Sequence, residues 1–107
     1  MVSEGKWIGM IRGTTPTIEF NLPFDASLLS VFYITFSQDG RPVVEKKHTD
    51  CELSGQKIIV TLSQMDTLRF KNDYVEIQIR GKTTSDEALS SNIMMEHVDM
   101  ILKEGVI

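Results

Sequence analysis

The chain has 107 residues, 41% hydrophobic and 24% charged, with a formal net charge of −4. This length suits one domain with a single core, and the acidic balance lacks the basic stripe of a nucleic-acid binder. The lone cysteine, Cys51, excludes an intrachain disulfide and fits a reducing compartment, no apolar run approaches the roughly 20 residues that span a bilayer, and no signal peptide is expected.

Met1 to Lys6 is polar and is expected to be loose, and Trp7 to Ile11 is apolar enough for a first strand broken by Gly9. Arg12 to Pro16 reads as a turn, because Pro16 forces its predecessor extended. Thr17 to Leu22 alternates, with Ile18, Phe20 and Leu22 on the inward face, and Pro23 and Asp25 end it. After a short turn at Ala26–Leu29, Val31 to Ser37 is rich in β-branched and aromatic residues. Its start is apolar on both faces, which predicts a central strand covered on both sides or nearly so. Asp39-Gly40 is the strongest hairpin signal and suits a type I′ turn. Arg41 to Lys47 is the return strand, with Pro42 near its start, where a missing donor does least harm.

His48-Thr49-Asp50 turns the chain into a short strand at Cys51–Leu53, and Ser54-Gly55-Gln56 turns it again. Lys57 to Leu62 puts Ile58, Val60 and Leu62 on one face. Ser63 and Asp66 stand at capping-box spacing and predict one short helical turn between strands. Asp73 to Arg80 alternates cleanly, with Val75, Ile77 and Ile79 inward and Glu76, Gln78 and Arg80 outward. Gly81 to Glu87 is polar and turn-like. Ala88 to Val98 reads as a strand with a register slip near His97-Val98, continuing past a bulge through Met100 and Leu102 or ending in a helical turn.

The pattern predicts an all-β fold of about seven to nine short strands with turns at regular spacing. An antiparallel immunoglobulin-like β-sandwich fits best, with a small β-barrel as the alternative.

Chemistry is sparse. Gly81-Lys82-Thr83-Thr84 ends like a phosphate-binding loop, but the required earlier glycine is Glu76, inside a predicted strand, and no helix is predicted to follow. Cys51 lies three residues from His48, and a zinc site needs about four ligands. His97 has no metal-ligand spacing to a partner. Asp86-Glu87 reads as a solvated acidic pair. Trp7, Tyr33 and Tyr74 are candidate aromatic platforms for a sugar, weighed against core or interface anchoring. Met94, Met95 and Met100 read as core filling, with a contact surface as the alternative. The sequence therefore predicts no catalytic, cofactor-binding or metal residues, no cofactor and no enzyme activity.

Two ends of the chain carry a resemblance. Ile11-Arg12-Gly13-Thr14-Thr15-Pro16-Thr17-Ile18-Glu19-Phe20 with Leu22-Pro23-Phe24-Asp25 opens it. Val75 to Arg80, Ala88 to Ile93 and Leu102 to Ile107 close it, with Tyr33 to Gln38 between. The set resembles a small protein carried in phage and prophage structural clusters of Gram-positive bacteria. It is similar, more loosely, to the N-terminal immunoglobulin-like domain of phage baseplate upper proteins. The resemblance covers residues 10–107, a single β-sandwich domain, and leaves 1–9 as an N-terminal extension or edge strand. It implies a non-enzymatic structural or assembly protein of a phage tail, made in the host cytoplasm and carried in the virion. Its implied partners are other tail or baseplate proteins and further copies of itself, with no nucleic acid or membrane. It supplies no functional residues. The alternative function is a carbohydrate-binding β-sandwich module.

Overall fold

The computed structural model describes the backbone of residues 4–6 and all of residues 10–107. Its strands are β1 (Glu4–Lys6), β2 (Met10–Ile11), β3 (Thr17–Asn21), β4 (Leu29–Gln38), β5 (Arg41–Lys47), β6 (Glu52–Ser54), β7 (Lys57–Thr61), β8 (Tyr74–Thr83), β9 (Ala88–Ser90) and β10 (Met94–Asp99). One α-helix, α1 (Gln64–Leu68), joins β7 to the segment before β8. The strands form two sheets, ordered β1-β3-β7-β6 and β2-β10-β8-β4-β5, with β9 also on β8. This is the immunoglobulin-like sandwich order. All pairs are antiparallel except β2 with β10, which run parallel, so the second sheet is mixed where a purely antiparallel one was expected.

The period-two pattern places the core. Ile18, Phe20, Ile58 and Val60 from the first sheet, with Leu62 just after β7, meet Phe32, Ile34, Phe36, Val75, Ile77 and Ile79 from the second, all buried. Each such side chain contributes about 1.5–3 kcal/mol of burial free energy. β4 is central, but it is not covered on both sides. Phe32, Ile34 and Phe36 point inward, whereas Val31 is half-buried and Tyr33 exposed. The apolar start of that run reflects an outer sheet face that carries aromatic and aliphatic residues.

The β4–β5 hairpin turns through Asp39 (φ 52°) and Gly40 (φ 72°), the two positive angles of a type I′ turn. Just beyond it the register shifts: Phe36 opposes Val44, while Ser37 opposes Pro42. Val43 is the extra residue of a bulge, so Pro42 needs no ladder donor.

Ser63 and Asp66 form the expected capping box. The Ser63 N–H donates to Asp66 Oδ2 at 2.9 Å, and the Asp66 N–H donates to Ser63 Oγ at 3.1 Å. Lys46 adds an ion pair to Asp66 at 2.8 Å, tying β5 to α1. At the other end of α1, Arg12 donates to the Leu68 and Phe70 carbonyls at 3.1 and 2.7 Å and pairs with Glu104 at 2.6 Å. A cation is favourable there, where helix carbonyls lack partners.

β8 runs on to Thr83, through residues whose polarity predicts a turn. Gly81, Lys82 and Thr83 pair with β4, and Gly81 and Lys82 also with β9, so backbone pairing decides there. A Cβ on Gly81 would lie 2.6 Å from the Val31 carbonyl oxygen and 2.8 Å from Phe32 Cβ, so this crossing requires glycine. The break in the last strand falls at 91–93, not near His97-Val98. There the Ser91 hydroxyl accepts the Ile79 N–H at 2.9 Å, and the Ser91 N–H donates to the Ile79 carbonyl at 2.8 Å. A side chain thus replaces one rung of the ladder. Beyond Asp99, residues 100–107 form no strand or helix.

Candidate interaction surface

The sheet containing β4, β5, β8, β9 and β10 buries one face and leaves the other open. Register fixes its outward rows. Tyr33 lies between Lys47 and Arg80, and Arg80 pairs with Ser90. Thr35 lies between Glu45 and Gln78. Ser37 opposes Glu76, which opposes Met95, and Tyr74 opposes His97. Gln78 is held by its Nε2 donating to the Ser91 carbonyl at 3.0 Å.

Large apolar side chains stand out on this side. Tyr33 is 40% exposed, Tyr74 54%, Ile93 55% and Met95 60%. The outward cations Lys47, Arg80 and Lys82 lie toward one end and the acids Glu76 and Asp99 toward the other, with Glu45 in the row between. Lys82 pairs with Asp86 at 2.8 Å, and His97 Nδ1 lies 3.1 Å from Asp99. Among the described residues Arg80 and Glu76 have no ion-pair partner, and both are exposed.

The sheet edges are less open than the face. β5 carries Pro42, a bulge and the inward-pointing Lys46, three features that blunt strand addition. β6 offers three residues and β2 two.

The sequence-singled residues do not converge. His48 packs its ring 6.0 Å from Phe32, and its Nδ1 is buried with no hydrogen-bond partner among the described residues. Cys51 Sγ donates to the Lys47 carbonyl at 3.5 Å. Burial, with Asp50 nearby, pushes this thiol up to about 11, against a smaller opposing pull from Lys46, which keeps it protonated at neutral pH. His97 lies on the outer face, its ring edge-on to Tyr74 at 5.1 Å. Asp86 is in the β8–β9 turn, and Glu87 borders an apolar hollow with Phe24, Leu28 and Leu89. Gly81 to Thr83 are extended in β8, so their backbone is not arranged as a phosphate cradle. Met94 packs on the core, but Met95 and Met100 are exposed, which corrects the core-filling expectation for those two. Trp7 lies outside the described residues.

At the tip of the β4–β5 hairpin an open cleft of about 720 Å³ gathers Arg41, Arg69 and Lys71. Lys71 is paired there with Asp39 at 3.1 Å. No group of three or more His, Cys, Asp or Glu suited to a metal occurs among the described residues, nor any helix long and apolar enough to cross a membrane.

No family model matches the chain, and no curated protein does. Among solved structures it is similar to an engineered protein whose crystal structure was determined at 1.98 Å, with a TM-score of 0.53 and 11% identity. The match covers 94% of this chain and 20% of that one, so this chain spans about a fifth of that protein's length. At that identity the likeness concerns the fold alone, an all-β sandwich whose exposed features are this chain's own.

Proposed function

We propose that the protein is a non-enzymatic structural or assembly component of a phage or prophage tail, of baseplate type, acting through protein–protein contacts. The observation that carries the contact role is the outer sheet face. It combines four exposed large apolar side chains with two charges, Arg80 and Glu76, that have no ion-pair partner among the described residues, while β5, the long outermost strand of the same sheet, is blunted. Exposed apolar groups gathered on one face mark interaction sites. The phage setting rests on the sequence resemblance over residues 10–107.

The exposed tyrosines also favour a second reading, a carbohydrate-binding face. Tyr33 and Tyr74 lie about six residues apart along β8, or about 20 Å. Each ring is also engaged, Tyr33 by Lys47 Nζ at 5.9 Å and Tyr74 by His97. Such a pair fits separate contacts along an extended partner better than a clamp on one sugar.

The test is to purify particles from a lysogen carrying the gene and quantify the protein by mass spectrometry, with a deletion strain alongside. Tail-stoichiometric copies, or loss of infectious particles on deletion, support the reading. Absence from particles together with normal infectivity of the deletion strain overturns it.

A further inference from the structure

We infer that the outer face of the second sheet pairs with the same face of a second copy of this chain, in a two-fold symmetric dimer. The inference rests on the reading of that face as a protein-contact surface and names its partner.

The charge pattern of this face is self-complementary. Two copies face each other only if the two-fold axis lies in the plane between them. An axis parallel to the strands would set Arg80 and Lys82 of one copy over the same cations of the other. An axis perpendicular to the strands, passing over Gln78, reverses strand direction and keeps β8 over β8. Arg80 and Glu76 lie two residues to either side of Gln78 and face outward. Each Arg80 then meets the Glu76 of the second copy, and the contact is made twice. Lys82 and Tyr74 lie four residues to either side, so Lys82, paired with Asp86 of its own chain, comes over Tyr74 of the second copy. On β4, Tyr33 comes over Ser37, a large residue over a small one. Glu45 meets its own copy at the β5 rim, where solvent screens the repulsion.

Size agrees with a weak, specific dimer. The nine residues Tyr74 to Lys82 span about 27 Å, and β5, β4, β8 and β10 span about 15 Å between their outer axes. With side chains at both margins, this face lies at the low end of stable interfaces, which bury about 800 Å² per partner. Packing two sheet faces within about 30° of alignment preserves the β8-over-β8 placement.

The experiment is sedimentation equilibrium from about 10 μM to about 1 mM, the range for a weak interface, on the wild type, Arg80→Glu, Glu76→Arg and the double variant. The wild type should show a monomer–dimer equilibrium, and each single reversal should weaken it by about tenfold or more. The double variant should return within about threefold of wild type, because the pair is swapped across the axis. Within one chain the two side chains lie about 13 Å apart, so an intrachain contact cannot produce that rescue. Both residues are exposed, and circular dichroism verifies the fold of each variant. Met95→Lys, on the same face, should weaken association with little salt dependence. A wild type monomeric over the whole range overturns the inference, as does a double variant no better than the singles. Incorporation into particles by a strictly monomeric protein would assign the face to a different tail protein and leave the proposed function standing. A dimer absent from particles would overturn the proposed function and leave the dimer.

Discussion

Gln38 and Lys71 are joined in both directions. The Lys71 N–H donates to Gln38 Oε1 at 2.8 Å, and Gln38 Nε2 donates to the Lys71 carbonyl at 3.0 Å. Gln38 is 4% exposed, so its amide acts as a strand segment that ties the end of β4 to the chain entering β8. Gln38→Ala leaves a part-buried donor and acceptor unpaired and should cost about 2–3 kcal/mol. Gln64 makes the same two-way contact with Ile107 in the open, and Gln64→Ala should cost under about 0.5 kcal/mol. Urea unfolding of both variants checks the contrast.

Ile77→Ala should lower stability by about 2–5 kcal/mol, as large-to-small changes in a sealed core do. Gln78→Ala, on the outer face, loses only its bond to the Ser91 carbonyl and should cost about 1 kcal/mol. Equal costs by chemical denaturation would mean that both faces are covered.

Gly81→Ala should destabilise by about 1–3 kcal/mol, because the new methyl meets the Val31 carbonyl and the β4 backbone. A well-packed sheet cannot open a rung without losing its neighbours. Amide exchange should therefore speed up along β4 and β8 together, and unchanged protection there would contradict the close crossing.

Asp66 gives a pH dependence. Burial raises its pKa, but the hydrogen bond and charge of Lys46 and the bonds from Ser63 outweigh this and hold it below its ordinary 3.8. A carboxylate depressed in the folded state stabilises it above the unfolded value, and this is lost as pH falls from near 3.8 through the folded value. The urea midpoint should therefore drop less steeply in that acid range for Asp66→Asn than for wild type. Identical slopes would show that Asp66 does not contribute.

Cys51 should react slowly. With its thiol raised from 9.0 to about 11, the thiolate fraction at pH 8 falls by about 100-fold relative to an ordinary cysteine. Iodoacetamide labelling of the folded protein should lag the urea-unfolded protein by about tenfold or more, read by intact mass.

Much of the frame was legible because alternation reports burial directly. Ile18, Phe20, Ile58, Val60, Val75, Ile77 and Ile79 all point where period two places them, and Asp39-Gly40 and Ser63–Asp66 act through local bonds that their own spacing encodes. Other features depend on what lies across the sheet. Polar Gly81 to Thr83 look like a turn until β4 and β9 pair with them. Ser91 looks like any loop serine until Ile79 needs an acceptor. Val31 and Tyr33 look like core because hydropathy does not separate a buried face from an exposed contact face. The row Arg80–Gln78–Glu76 was visible as an outward set, but its meaning depended on learning that no element among the described residues covers it.

The blunting of β5 has a consequence for how copies accumulate. Because Pro42, the Val43 bulge and the inward Lys46 interrupt that border, growth by adding strands sideways is obstructed there, which is the route to open ribbons. A face used by two-fold pairing is used up in both copies. With the proposed two-fold pair formed, the molecule has a valence of one toward its own kind through that face, and any larger ring or sheath must recruit a different surface or a different protein.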